Sequence, residues 1–147
     1  MSSPSVGPAG GHIGDYPGAE LGLPPRGPAS LASLLPRALA AVIDWMLCQF
    51  IVIGLFDVSV SEGGTSALAP LGLFLLMHLL LVGTIGTTIG HKIVGIEVRA
   101  QDGGSITPKQ TVIRTLMVGL FFPAILTAND GRGLHDKAAG AMTIRSR

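Results

Sequence analysis

The feature that most constrains the fold is a long stretch of chain without a basic residue. No Lys or Arg occurs between Arg37 and Lys92, and two apolar runs, over residues 38–57 and 67–88, lie inside that gap. Each run has about the length that a helix needs to cross the hydrocarbon core of a bilayer. Charged residues make up 13% of the chain, whereas a soluble domain carries about 25%. The sequence therefore predicts an integral membrane protein with a two-helix transmembrane hairpin.

The charges around the hairpin predict its orientation. Cytoplasmic loops of membrane proteins are enriched in Lys and Arg. Basic residues flank both outer ends of the hairpin, and the loop between its helices carries Asp57 and Glu62. We therefore expect a multi-pass protein with both termini in the cytoplasm. The formal net charge of +1 argues against a nucleic-acid partner.

The regions outside the hairpin differ in composition. Residues 1–36 are rich in Gly, Pro, Ala and Ser, which predicts a disordered cytoplasmic tail before a membrane domain over 37–147. Alternation over 92–99 predicts a strand, Asp102-Gly103-Gly104 a turn, and residues 105–107 a return strand. Residues 141–145 are a further candidate strand, which would pair with residues 93–99.

The third apolar segment belongs to a predicted helix over 108–127. Thr107 is a candidate N-cap and Gln110 its capping-box partner. Residues 116–126 form a run too short for an ordinary crossing, and basic residues lie on both sides of it. We expect an interfacial or re-entrant helix, with a third crossing as the alternative. The predicted fold class is an all-α membrane protein with a small cytoplasmic strand–turn–strand.

Asp44 is the most informative polar residue in the first apolar run. It lies seven residues after Arg37, so both side chains share one face of a helix. An aspartate at the centre of a membrane helix costs about 2.5–3.5 kcal/mol. Such a residue is either a cation or proton site, or part of an ion pair or hydrogen bond that holds the fold together.

Other residues of the hairpin offer secondary sites. Gln49 and His78 lie at similar predicted depth, so they can form a hydrogen bond, and a chain from His78 past Gln49 to Asp44 would resemble a proton relay. A neutral histidine bonded to the amide is the simpler interpretation, and we favour it. Small residues are predicted to pack the second helix closely on the first; they are Gly83, Gly86 and Gly90.

The His135-Asp136 pair invites a metal-site interpretation. A metal hydrolase needs several further ligands, and the remaining histidines lie in the tail (His12), the membrane core (His78) and the membrane edge (His91). We therefore expect neither an enzyme nor a metal or other cofactor. Asp136 is better explained as an acceptor for an arginine or for backbone N–H groups.

Taken together, these motifs resemble the RDD family of bacterial membrane proteins, which is named for one arginine and two aspartates. The resemblance covers most of the chain after the tail. It is carried by residues 36–44, 88–98 and 102–104, by Arg114, and by residues 134–140. His91 departs from the small or basic residue that is common at that family position.

The resemblance implies that Arg37, Asp44 and Asp136 are the family's arginine and aspartates, and that the protein lies in a bacterial cell membrane. It also implies transport of a cation, proton or small ligand, with Arg114 and His135 as further candidates. Because two helices cannot enclose a pathway, transport would need a homo-oligomer or a membrane partner as well as the lipid bilayer. The alternative is a non-transporting accessory or scaffold subunit whose Arg and Asp residues are structural.

Overall fold

The computed structural model describes residues 16–58, 63–120 and 131–147. A single-turn 3-10 helix, Ala19–Leu21, precedes the main elements. These are α1 (Leu34–Phe50), α2 (Ala69–Ile85), α3 (Ile89–Val94), β1 (Ile96–Ala100), α4 (Pro108–Gly119), α5 (Leu134–Ala139) and β2 (Ala141–Arg145). The protein is thus mostly helical, with one two-stranded sheet.

The two apolar runs are helices of a length and composition that can span a membrane. α1 continues through a π-helical turn to give the helical stretch Leu34–Leu55, which contains an 18-residue window of mean hydropathy 2.1. A 3-10 turn leads into α2, and the stretch Gly64–Ile85 contains such a window of mean hydropathy 2.2. The predicted apolar helices are therefore confirmed. α2 ends three residues earlier than predicted because Gly86 adopts a left-handed conformation with φ 71°, which ends the helix.

α1 carries its polar residues on the inside and its apolar residues on the outside. Its buried residues recur every three or four positions; they are Arg37, Ala40, Asp44 and Cys48. The opposite face exposes 68% of Leu35, 62% of Met46 and 76% of Phe50. A water-soluble helix has the reverse pattern, and polar residues of a membrane helix face the protein interior. This distribution is typical of a helix in lipid.

α3 replaces the first half of the predicted strand over 92–99. The Thr88 side chain accepts a hydrogen bond from the His91 N–H and so caps the helix, and Gly95 ends it with φ 79°. The strand therefore begins only at Ile96. The prediction was wrong here because alternating apolar residues also fit a single helical turn and a half. α3 packs against α1, where Gly90 faces Ala40.

The sheet joins two distant parts of the chain. β1 and β2 are antiparallel, with Ile96 opposite Arg145 and Ala100 opposite Ala141, which confirms the predicted role of residues 141–145. The predicted return strand over 105–107 is absent from the described chain. The Asp102–Gly104 turn does form, closed by a 3.0 Å hydrogen bond from the Ala100 N–H to the Gly104 carbonyl, but it leads into α4.

The structure also differs from the expectation of a disordered tail over 1–36. The Ala29 N–H donates to the Arg145 carbonyl at 2.8 Å, and the Ala32 N–H donates to the Thr143 carbonyl at 2.9 Å. Leu31 is buried against Met142 and Ile144. The end of the predicted tail thus runs alongside β2 and forms backbone hydrogen bonds with that strand. Residues 1–15 are outside the described residues.

α4 begins with the predicted capping box between Thr107 and Gln110, which is confirmed. The helix runs antiparallel to α2, because Gly83 lies at Thr111 and Gly119 lies at Leu75. Leu75 is ten residues before the end of α2, about 15 Å along the axis. α4 therefore lies along α2 rather than across its end. The remainder of the predicted helix, over 121–127, falls outside the described residues.

We expect Gly90→Ala to destabilise the protein because a Cβ atom at Gly90 would overlap the Ala40 carbonyl oxygen and lie 2.9 Å from the Asp44 carboxyl carbon. Overpacking of this kind costs about 1–3 kcal/mol. The measurement is unfolding in mixed micelles, followed by the fluorescence of the single Trp, Trp45, whose ring contacts Phe74.

The matched control is Gly72→Ala, since no atom lies within 4 Å of a Cβ at that helical position. It should be neutral or should stabilise by up to about 1 kcal/mol. Equal stabilities of the two variants would contradict the close α1–α3 contact.

Candidate functional site

The candidate functional residues form two buried polar clusters. The Asp44 cluster consists of Asp44, His78, Thr88 and His91. The Asp136 cluster consists of Arg37, Arg114, His135, Asp136 and Thr143. All nine side chains are buried, and buried polar groups of this kind need partners.

The Asp44 carboxylate is held by α3 and the turn before it. Oδ1 accepts a 2.7 Å hydrogen bond from the Gly90 N–H, and Oδ2 accepts one from the Thr88 hydroxyl. His91 Nδ1 lies 3.6 Å from Oδ2 and 2.5 Å from the Thr88 oxygen. The carboxylate thus has partners on both oxygens, although it is completely buried.

The hydrogen-bond network assigns the tautomers of the two histidines. The Thr88 hydroxyl gives its only proton to Asp44, so His91 Nδ1 carries the proton that it shares with Thr88. His78 Nδ1 lies 3.1 Å from the Phe74 carbonyl oxygen, which can only accept. Both rings therefore keep a lone pair on Nε2. Their centroids are 6.0 Å apart.

The predicted contact between Gln49 and His78 does not form. His78 uses its Nδ1 on the carbonyl one turn earlier in α2, while Gln49 Oε1 is buried and has no hydrogen-bond partner among the described residues. The relay His78–Gln49–Asp44, the less favoured interpretation, is therefore not formed. The residues that lie together are His78, His91, Thr88 and Asp44.

The three predicted packing glycines contact three different elements. Gly83 faces Thr111 of α4, Gly86 lies under the Val98 carbonyl of β1, and only Gly90 reaches α1. The predicted direct packing of these glycines between the hairpin helices was wrong, because the chain turns at Gly86 and brings α3, which carries Gly90, against α1. The consequence is that α3, rather than α2, supplies the partners of Asp44.

The Asp136 cluster is centred on a buried ion pair. Arg114 Nε donates to Asp136 Oδ1 at 2.6 Å, and the Thr143 hydroxyl donates to Oδ2 at 2.6 Å. His135 Nε2 lies 3.3 Å from Oδ1. The cluster thus ties α4 to α5 and β2, and Asp136 has an arginine partner, as the sequence predicts.

Arg37 belongs with Asp136 rather than with Asp44. Its Nη2 donates to the Gly131 carbonyl at 3.4 Å, and its charge acts on Asp136. The groups that bond Asp44 come from residues 88–91. The spacing of seven residues places Arg37 and Asp44 on one face of α1 as predicted, but the two residues serve different clusters.

The environment of each cluster shifts the pKa of its titratable groups outside the helical spans. Burial alone would raise the pKa of Asp136, but the charges of Arg114, His135 and Arg37 and the Thr143 hydrogen bond lower it far below its ordinary range. Burial lowers the pKa of His91 despite the opposing effect of Asp44. Asp136 is therefore ionised and His91 is neutral at physiological pH.

A cavity of about 390 Å³ connects the two clusters. One side exposes His78 and His91, and another exposes Arg37, Arg114 and His135. The remaining lining is apolar and comes mainly from α1; it includes Ala38, Ala41, Val42, Trp45, Phe74 and Val118. Such a cavity gives a small ligand or ion a route to the histidines of the Asp44 cluster.

His91 and Thr88 are site residues that the sequence patterns did not indicate. His91 was placed at the membrane edge, apart from His78, and Thr88 was assigned only to the helix end. The structure gathers ligand atoms of Asp44, His78 and His91 within 4.8 Å of one another. The usable signal was Thr88 three residues before His91, an N-cap spacing that would have turned the histidine inward.

One comparison with known proteins identifies the chain's relatives. The family model described as "RDD family" matches residues 31–140, which is most of the 147-residue chain. No curated protein and no solved structure matches the chain. The matched range begins at the Leu31 edge segment and includes the whole Asp44 cluster and every residue of the Asp136 cluster except Thr143.

We expect Asp136→Asn to destabilise the protein by about 3–5 kcal/mol, because it leaves a buried guanidinium without its counter-charge. Replacing both partners, in Arg114→Met with Asp136→Leu, should cost much less. Micellar unfolding measures both, and Asp102→Asn in the exposed turn is the control. Equal losses in the single and the double variant would contradict the ion pair.

Acidification tests the same carboxylate. Because its folded pKa is lowered, Asp136 contributes stability that is fully present above its ordinary pKa of 3.8 and is lost as the pH falls toward the folded pKa. Wild-type stability should therefore decline below about pH 4, and Asp136→Asn should lack that part of the decline. Parallel pH profiles would contradict the assignment.

Proposed function

The chain belongs to the RDD family, and from that premise we propose that it is a multi-pass membrane protein that moves a cation or a proton through the Asp44 cluster. The observation that carries the proposal is a fully buried carboxylate in the middle of an apolar helix. Ionisable residues in such positions are expensive and mark ion pathways or proton relays.

The distribution of apolar surface supports the membrane location. The two apolar helices and the family membership indicate a membrane protein. Outward-facing apolar residues continue from α1 onto α2 and α4, where Leu76, Leu80, Leu116 and Leu120 are exposed. The absence of Lys and Arg between residues 37 and 92 supports cytoplasmic termini through the positive-inside rule.

The chemistry of the cluster supports ion or proton handling. The carboxylate, hydroxyl and imidazole of Asp44, Thr88 and His91 form a continuous hydrogen-bonded chain, along which a proton can pass by exchange of donor and acceptor roles. His78 lies beside this chain and lines the cavity. The cavity supplies access, and Asp44 supplies the negative charge.

A single copy offers only two helices long enough to span among the described residues. Two helices cannot surround a continuous polar path, so the proposal includes assembly into a homo-oligomer or with a membrane partner. The exposed apolar face of α1 is available for either contact or for lipid.

A second candidate function is that of a non-transporting accessory subunit. The observation that favours it is the saturation of both aspartates: each carboxylate oxygen of Asp44 and Asp136 already has a partner within the chain. In that case the two clusters hold α3, α4, α5 and β2 together and carry no ion.

Ion flux in proteoliposomes separates the two candidates. Wild-type protein in vesicles with a pH-sensitive dye should respond to a Na⁺, K⁺ or proton gradient, and Asp44→Asn should fall to the level of empty vesicles because the amide removes the charge. The amide oxygen can still accept from the Gly90 N–H. Asp102→Asn is the matched control and should retain flux. Equal flux in wild type and Asp44→Asn would contradict the assignment, and folded wild type without flux would support the accessory role.

A further inference from the structure

We propose that Asp44, His78 and His91 form a binding site for one divalent transition-metal cation of the Zn²⁺ class. The inference rests on the proposed function, because it names the chemical class of cation that the Asp44 cluster takes. Two imidazoles and one carboxylate are a donor set that selects transition metals, whereas alkali ions and Mg²⁺ prefer sets built from oxygen alone.

The spacing of the ligand atoms is close to that of a metal site. Ligands bound to tetrahedral Zn²⁺ at about 2.0–2.1 Å lie roughly 3.3 Å from one another. One ligand atom from each of the three residues lies within 4.8 Å of the others, which is within about 1.5 Å of that spacing. Small side-chain rotations are enough to close the site, and a water or the Thr88 hydroxyl can supply a fourth ligand.

The surrounding groups already orient the three ligands. Metal-bound histidines commonly donate their second ring nitrogen to a carbonyl or carboxylate. The His78 Nδ1–H is held by the Phe74 carbonyl and the His91 Nδ1–H by the Thr88 oxygen, so each neutral ring keeps its lone pair on Nε2. The Gly90 N–H and the Thr88 hydroxyl hold Asp44 Oδ1 and Oδ2. A metal ion at the two Nε2 atoms and at the second lone pair of Oδ2 would leave these bonds in place.

Access and charge also suit a cation. His78 and His91 line the 390 Å³ cavity, so an ion that enters it meets both imidazoles. The two arginines of the cavity wall, Arg37 and Arg114, are balanced in number by the buried carboxylates Asp136 and Asp44. Arg114 is itself bonded to Asp136, so its charge opposes the entry of a cation less than that of an unbonded arginine.

The first experiment measures Zn²⁺ binding to the purified full chain in detergent by equilibrium dialysis with metal analysis. Wild type should bind one Zn²⁺ per chain, and excess Mg²⁺ should not compete. His78→Gln and His91→Gln should each weaken binding by at least about tenfold. His135→Gln is the matched control, since His135 lines the same cavity but belongs to the Asp136 cluster, and it should bind as wild type does.

A second variant keeps the test decisive if a glutamine variant does not fold. His91→Cys exchanges one ligand for another, so it should still bind Co²⁺ and add a thiolate-to-cobalt charge-transfer band that wild type lacks. Wild type without stoichiometric Zn²⁺, or affinity that is equal in wild type and the His78 and His91 variants, would overturn the proposal. A folded His91→Cys variant that gives no new cobalt band would also overturn it.

The result separates the site from the proposed transport. Zn²⁺ bound through His78 and His91 without flux of Na⁺, K⁺, protons or Zn²⁺ would uphold the metal site and contradict transport. Flux that depends on Asp44 in a protein that binds no Zn²⁺ would uphold transport and contradict the metal site.

Discussion

The structure depends on the contact between the Asp44 carboxylate and the turn that begins α3. A charge in the middle of an apolar helix is costly unless it is paired or hydrogen-bonded. Here the Gly90 N–H and the Thr88 hydroxyl satisfy both oxygens. The absence of a side chain at Gly90 lets the two backbones approach closely enough for these bonds. The same contact turns the chain back after α2 and so directs β1 toward β2.

The rest of the fold places polar groups inside and apolar groups outside, the reverse of a water-soluble protein. Polar groups are collected between the helices, and leucine-rich faces point outward. The Asp44 contacts hold α1 and α3 together. In the same way, the bonds of Asp136 to Arg114 and Thr143 hold α4, α5 and β2 together. Between the two lies a cavity that borders both. The carboxylate of one cluster is paired with an arginine, whereas the carboxylate of the other lies beside two imidazoles.

The sequence predicted the features that depend on local signals and missed those that depend on distant contacts. Hydropathy was enough for α1 and α2, the Thr107–Gln110 spacing for the cap of α4, and alternation for most of β1. The six-residue helix α3 was interpreted as strand because so short a segment has no clear period. The bond between Asp44 and Gly90 joins residues 46 positions apart. An aspartate or a glycine in the sequence does not indicate which distant residue it will contact. The packing of Leu31 on β2 was hidden by a proline- and glycine-rich context.

Ion-induced infrared difference spectroscopy on wild type and Asp44→Asn tests the central claim most directly, because it observes the buried carboxylate itself. The account predicts that adding Zn²⁺ to the wild-type protein shifts a carboxylate stretching band, and that this band is missing from the difference spectrum of Asp44→Asn. Difference spectra that are identical in the two proteins would contradict the claim that Asp44 is the group that meets the ion.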